Sequence, residues 1–392
     1  MKNPVVMLLK TMLCILLAVT LTGCWNRREL DTLAVVMGVG VDKLTEPGKV
    51  QVTAQIVKPG EIKSQSKEVG GGAEAFWNVI GTGDTVFGTL RSMTTKSSRK
   101  LFFPHNQVLI FSKSIAEDGI QKYIDFFVRD PETRMNVWVL ISQDTATEVL
   151  DIKSELEKVP ASNIGKLVEV EEAATSQTRA VKLKDLVVGL MSKTTGSTAP
   201  IIKIVKDGDK KIATISGTAV FKGDKLVGSM DKFEGRGLLW VLGKVKSGII
   251  DVEDSSNNKV SIEIIRASSK IVPEIKDNKI TMKVYITEEG NIGEQTGPEN
   301  LSKLKEIALL EDKKAEVIRS EVIAAVKKAQ DLDADVFGFG DAIHKKYPKQ
   351  WKNLEDNWDE IFKDIQLEVN VDAKLRLMGR SSKPTVPEKE KE

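Results

Sequence analysis

Histidine and cysteine are almost missing from this chain of 392 residues, which holds two of each. His105 and His344 alone exclude a His-rich metal site and leave little for His-based catalysis. Both cysteines, Cys14 and Cys24, fall in the first 24 residues. The rest of the chain therefore has no disulfide, no Cys-type zinc site and no thiol nucleophile. An excess of either charge is also missing: 58 Lys and Arg face 56 Asp and Glu, a formal net charge of +2. That balance gives no electrostatic footprint for nucleic acid. Aromatics make up 5%. Behind the first two dozen residues there is no apolar run of membrane length, for which about 20 residues are needed.

What the chain does have begins at its N-terminus. Lys2 and Lys10 give a positive start, and "TMLCILLAVTLT" (Thr11 to Thr22) is uncharged and mostly apolar. As a helix it reaches ~18 Å at about 1.5 Å per residue, short of the roughly 30 Å of a bilayer core. It reads as a removable signal peptide over residues 1–23. The run ends Leu21-Thr22-Gly23-Cys24, which resembles the bacterial lipobox. Thr22 and Gly23 are small enough for cleavage just before Cys24, whose thiol takes a diacylglycerol through a thioether bond. N-acylation, for instance with palmitate, is a further step. Cys14 leaves with the signal. The mature chain then carries no net charge.

The body of the chain alternates strands and helices. "LAVVMGVGVDKL" and "KVQVTAQIV" read as strands, and the latter alternates apolar and polar. "KPGEIKSQSKEVGGGAEA" reads as a mobile loop. Val86, Leu90 and Met93 recur at helical spacing. "NQVLIFS" and "RMNVWVLIS" read as strands, and "DGIQKYIDFFVRD" as a helix stopped by Pro131. Residues 163–200 are harder to place, with "AVKLKDLVVGLMSK" helical. Strands "IIKIVK", "KIATISGTAVFK" and "KLVGSM" follow, with turns at Asp207-Gly208 and Gly223-Asp224. "RGLLWVLGKV" reads as a short buried helix. Two long strands, "KVSIEIIRASSKIVPEI" and "KITMKVYITEEG", turn at Asp277-Asn278. A long helix from Glu299 to Gln330 opens at Gly297-Pro298, and a helix and a last strand close the chain.

These elements give an α+β fold of three mixed domains with largely antiparallel sheets. The expected boundaries are 24–198, 199–258 and 259–380, with a disordered tail at 381–392. In the C-terminal domain the long helix packs on the sheet.

Four blocks carry a resemblance. They are "GCWNRRELDTLAVVMGVGVDK"; "SSRKLFFPHNQVLIF" with "IDFFVRDPETR"; "GTAVFKGDKLVG" with "RGLLWVLGKVKSGII"; and "DVFGFGDAIHKKYPKQWKNLEDNWDEIF" followed by "IQLEVNVDAKLRLMG". In this order they resemble the Ger(x)C family, the lipoprotein C subunits of spore nutrient germinant receptors. The resemblance implies a non-enzymatic subunit, without catalytic residues, metal or cofactor, on the outer face of the spore inner membrane. It implies two integral-membrane partners, a multi-span subunit with soluble parts and a transporter-like subunit. The implied fold has three mixed α and β domains.

Each remaining motif has a bland reading that is preferred. "FGFGD" (Phe337 to Asp341) lacks the Lys-Ser/Thr of a phosphate loop and reads as a turn flanked by core phenylalanines. Trp351, Trp358 and Phe362 share one helical face, as a packed surface rather than a ligand cage. His105 reads as a structural histidine with a backbone partner. Arg129, Asp130, Glu132 and Arg134 read as an ion-pair network fixing a turn rather than a carboxylate clamp. The long helix reads as support for the sheet rather than a coiled-coil rod. The alternative to a receptor subunit is a free-standing solute-binding lipoprotein that captures a nutrient in its own cleft. A cell-wall hydrolase has little support, since no motif singles out a carboxylate pair.

Overall fold

The computed structural model describes residues 4–20, 29–63, 74–277 and 279–377. Cys24 and the lipobox, most of the polar loop before Glu74, Asn278 of the expected turn and the 381–392 tail lie outside the described residues. Pro4–Thr20 forms one helix of 17 residues, ~26 Å at about 1.5 Å per residue. No helix among the described residues is long and apolar enough to cross a membrane.

Among the described residues thirteen strands build two sheets. They are β1 (Leu33–Lys43), β2 (Val50–Val57), β3 (Phe76–Gly83), β4 (Lys100–Phe102), β5 (Val108–Ser112), β6 (Trp138–Ser142), β7 (Thr198–Asp207), β8 (Lys210–Lys222), β9 (Lys225–Met230), β10 (Ile249–Glu253), β11 (Lys259–Lys276), β12 (Lys279–Gln295) and β13 (Gln366–Leu377). The first sheet runs β3-β2-β1-β5-β6-β7-β8-β9, with β4 paired to β1; the second runs β10-β11-β12-β13. The fold is mixed α and β, as expected. The orientation of the first sheet is mixed rather than largely antiparallel. β1, β5, β6 and β7 are parallel neighbours, while its two outer pairs on each side are antiparallel. Crossover helices explain this. Lys113–Asp118 and Gln121–Arg129 return the chain between β5 and β6, and Pro160–Ala174 and Leu183–Met191 do so between β6 and β7. Parallel neighbours need such long connections.

Helices on both faces bury the centre of the sheet. Val39, Leu109 and Val139 face one core, and Ile110, Leu140 and Ile202 the other. The alternation in β2 therefore does not mark a solvent face. Thr53 and Gln55 are fully buried. Gln55 donates to Leu150 O (2.6 Å) and accepts from Ala161 N (2.8 Å), so its amide ties the sheet to the helical layer. Asp42, at the end of β1, accepts from Ala146 N and Thr147 N (2.7 and 3.0 Å). Its burial pushes its pKa up against those bonds.

The segment 199–258, expected as a middle domain, divides between the sheets. β7, β8 and β9 extend the first, and β10 opens the second. Between them the helix Lys232–Val241 starts on a capping box of Asp231 and Glu234. Its Trp240 is buried in the C-terminal core beside Val220 and Met230 of the first sheet's strands. Gly237 lies so close to the backbone of Glu321 that a Cβ there has no room. Across the same contact Arg236 Nε donates to Glu321 (2.9 and 3.0 Å) and Trp240 Nε1 donates to it at 2.7 Å.

The long helix is Leu304–Asp331, five residues later at its start than expected. Residues 300–303 turn instead: Asn300 Oδ1 accepts from Ser302 N at 3.0 Å, and Lys303 is the N-cap in an extended conformation. The helix covers one face of the second sheet. There Lys314 Nζ lies 2.7 Å from Glu288, both side chains fully buried, and donates to Lys374 O at 2.9 Å. The pair is close but not aligned as a hydrogen bond, and burial pushes the Glu288 carboxyl up against the pull of Lys314. The other face is polar. Arg266 and Arg376 flank Glu289 and hold its pKa down at about 2.

Candidate functional site at the chain-entry pole

The described chain enters the first sheet through a single turn. Thr32 N and Oγ1 both donate to Glu29 O (3.1 and 2.7 Å), which aims the backbone into β1 at Leu33. Leu33 to Val35 pair in parallel with Lys100 to Phe102, and Val36 pairs with Ile56. The start of β1, the start of β3 and the end of β2 therefore meet at one pole of the sheet. A cleft of about 290 Å³ opens there, floored by Leu33, Ala34 and Ile56 and rimmed by Pro59, Trp77 and Arg99.

The rim is built from both sides. After β2 the short helix Pro59–Lys63 sets Ile62 outward at 45% exposure, and Lys158 Nζ holds the Ile62 carbonyl at 3.0 Å. Trp77 stands on β3 at 41% exposure. The free edge of β3 is blunted by Lys96, whose Nζ donates to Ile80 O at 2.7 Å, the usual lysine protection of a sheet edge. The Ser97 hydroxyl donates to Arg99 O (2.9 Å) and fixes the turn into β4. Lys58 and Arg99 are exposed at the cleft. A second cleft of about 200 Å³ adjoins along β4. In it Phe87 stacks on Phe126 at 5.4 Å, with the Arg91 guanidinium 5.4 Å over the Phe87 ring. This pole combines exposed aromatic and aliphatic side chains with Lys58, Arg99 and Glu61.

The motifs singled out in the sequence lie elsewhere. Phe337 and Phe339 are buried and stacked at 5.0 Å around Gly338, whose φ of 74° suits glycine. Asp335 organises the turn: its carboxylate accepts from Phe337 N and Phe339 N (both 3.1 Å) and Gly340 N (2.9 Å). Complete burial raises its pKa to about 6 despite these bonds. Trp351, Trp358 and Phe362 are buried core, and a Cβ on Gly340 would come within 3.0 Å of both tryptophan rings. His105 is exposed, its ring 6.0 Å from Phe102, and His344 stacks on Trp351 at 5.7 Å. The ion-pair network expected among Arg129, Asp130, Glu132 and Arg134 to fix a turn reaches outside that segment. Asp130 Oδ1 accepts from Glu132 N (2.7 Å), while Arg129 pairs back to Asp125 and Glu132 out to Lys100. Among the described residues no three His, Cys, Asp or Glu side chains are grouped to hold a metal ion. The pole itself was missed in the sequence. Its rim comes from three separated segments, and β3, "FWNVIGTG", has two glycines and weak alternation.

Two family models match in chain order. Spore germination protein N-terminal domain covers residues 26–204, and Spore germination B3/GerAC like, C-terminal, covers 216–379. The chain belongs to the Ger(x)C spore germination family. Bacillus subtilis relatives match over nearly their whole length. Spore germination protein KC is 26% identical over 396 residues, covering 96% of this chain and 97% of its own. Spore germination protein YndF is 29% identical, covering 91% and 93%. Spore germination protein A3 is 26% identical, covering 92% and 95%. The fold of this Ger(x)C chain is similar to the crystal structure of the GerBC protein, with a TM-score of 0.55, 18% identity, and 86% and 96% of the two chains covered. A role in spore germination follows from family membership.

Proposed function

We propose that this Ger(x)C protein is a lipid-anchored, non-enzymatic subunit of a nutrient germinant receptor, on the outer face of the spore inner membrane. It works by docking against two integral-membrane subunits, one multi-span with soluble parts and one transporter-like. The observation that carries the reading is the full-length match to the germination family directly behind the Leu21-Thr22-Gly23-Cys24 sequence. Diacylated Cys24 is the mature N-terminus, and two acyl chains anchor stably where one is marginal. Confinement to the membrane raises the effective concentration for membrane partners. The side chains at the pole suit contact, and the buried Arg236–Glu321 pair ties the helix that follows the first sheet to the long helix of the second.

Affinity purification from dormant-spore membranes, with mass spectrometry of the N-terminal peptide, tests this. Two membrane subunits co-purify and the peptide begins at diacylated Cys24. Cys24→Ala lowers receptor assembly while the remainder of the chain stays folded. An unmodified Cys24 still joined to Gly23, or purification without membrane subunits, refutes the reading.

A further inference from the structure

From the chain-entry pole we infer that the N-terminal sheet is oriented end-on to the bilayer, with the cleft rimmed by Trp77, Pro59 and Arg99 seated in the lipid headgroups. This rests on the lipid anchor at Cys24 proposed above. Three observations carry it. First, Cys24 and Glu29 are only five positions apart, at most ~18 Å when extended at about 3.6 Å per residue. The described chain enters the first sheet at the pole, so the pole cannot leave the headgroup region by more than that reach. Second, the side chains there suit an interface. Trp77 and Ile62 expose large apolar surface, and tryptophan settles at the headgroup level, where its ring is half solvated. Third, Lys58 and Arg99 line the same cleft as Trp77, along with Glu61. Such cations extend apolar stems along the surface and place their charge on lipid phosphates.

The opposite pole differs. Glu46, in the turn after β1, is exposed beside Thr45 and Pro47. β1 has 11 residues, so this turn lies ~36 Å from the chain-entry pole at about 3.3 Å per residue. End-on seating therefore places the two poles at different depths, and lying flat does not.

The mature chain has no thiol but Cys24, so single probes are readily placed. Full-length acylated protein carrying Ser98→Cys or Glu46→Cys is labelled with an environment-sensitive fluorophore. It is then reconstituted on phosphatidylcholine–phosphatidylglycerol vesicles containing a headgroup-nitroxide lipid. The expected result is flotation of both proteins, blue-shifted and strongly quenched emission at position 98, and solvent-like, unquenched emission at position 46. Adding Lys58→Glu and Arg99→Glu lowers the quenching at position 98 without ending flotation. Flotation with equal signals at both positions overturns the orientation and leaves the anchor standing. A solvent-like position 98 in floating protein does the same and leaves the pole free for a protein partner. Failure of the unreversed proteins to float overturns the anchor and the orientation with it.

Discussion

Replacing Lys314 by Met isolates a buried carboxylate and exposes what the pair contributes. In the native protein both side chains are fully buried, with Lys314 Nζ 2.7 Å from Glu288 and 2.9 Å from Lys374 O. Removing one member of a buried pair costs about 3–5 kcal/mol because the other charge stays desolvated. Lys374 O also loses its donor, at about 1 kcal/mol. The deficit is pH-dependent. Burial already raises the folded pKa of Glu288, and losing Lys314 raises it further. A carboxyl with a raised folded pKa binds more protons folded than unfolded, so stability falls as pH rises from the unfolded value toward the folded one. The slope in that window is about 1.4 kcal/mol per pH unit. Lys314→Met should therefore be much closer to wild type at pH 5 than at pH 8. The double variant Lys314→Met/Glu288→Met removes both charges and should lie within about 1 kcal/mol of wild type, or above it, at both values. Urea unfolding of the mature chain, followed by circular dichroism, reads all three proteins. A single-variant deficit below about 1 kcal/mol that is flat with pH would refute the reasoning, as would a double variant no better than the single.

Further outcomes follow from other contacts. Gly237→Ala drives a Cβ into the Glu321 backbone, so it should cost about 3 kcal/mol by overpacking, seen as a lower thermal midpoint; an unchanged midpoint means that the two helices separate freely. Arg236→Met strips a buried partner from Glu321 while leaving the Trp240 bond, and should lower stability by about 3 kcal/mol in urea unfolding. Asp335→Ala orphans the amides of Phe337, Phe339 and Gly340 and should cost at least about 2 kcal/mol, with loss of near-ultraviolet dichroism from the Trp351–Trp358 cluster. His105→Asn/His344→Asn should leave nutrient-triggered germination intact in folded protein; complete loss at a normal membrane level counts against a non-enzymatic role.

Local order was written plainly in the chain. The Val86, Leu90 and Met93 spacing and the run "RGLLWVLGKV" each named a helical stretch that is largely buried in the structure, whereas Trp351, Trp358 and Phe362, expected on one helical face, are buried from two short helices, Pro348–Leu354 and Trp358–Lys363. The turns at Gly208 and Gly223 fell at positive φ. These features depend on neighbours a few residues apart, and periodicity records exactly that range. The lipidation proposed at Cys24 rests on the sequence alone, on the four adjacent residues that peptidase and lipid chemistry would read. Tertiary structure decided what depends on partners far along the chain. β7 to β9 join the N-terminal sheet because β6 offers an edge to β7, and no local pattern states this. Thr53 and Gln55 look like a solvent face until helices from residues 146–174 cover them. Glu288 and Lys314, 26 positions apart, meet only because the long helix crosses the second sheet. The entry pole gathers residues from 33, 58, 77 and 99 because three strands end together there, and only the sheet register brings those ends to one place.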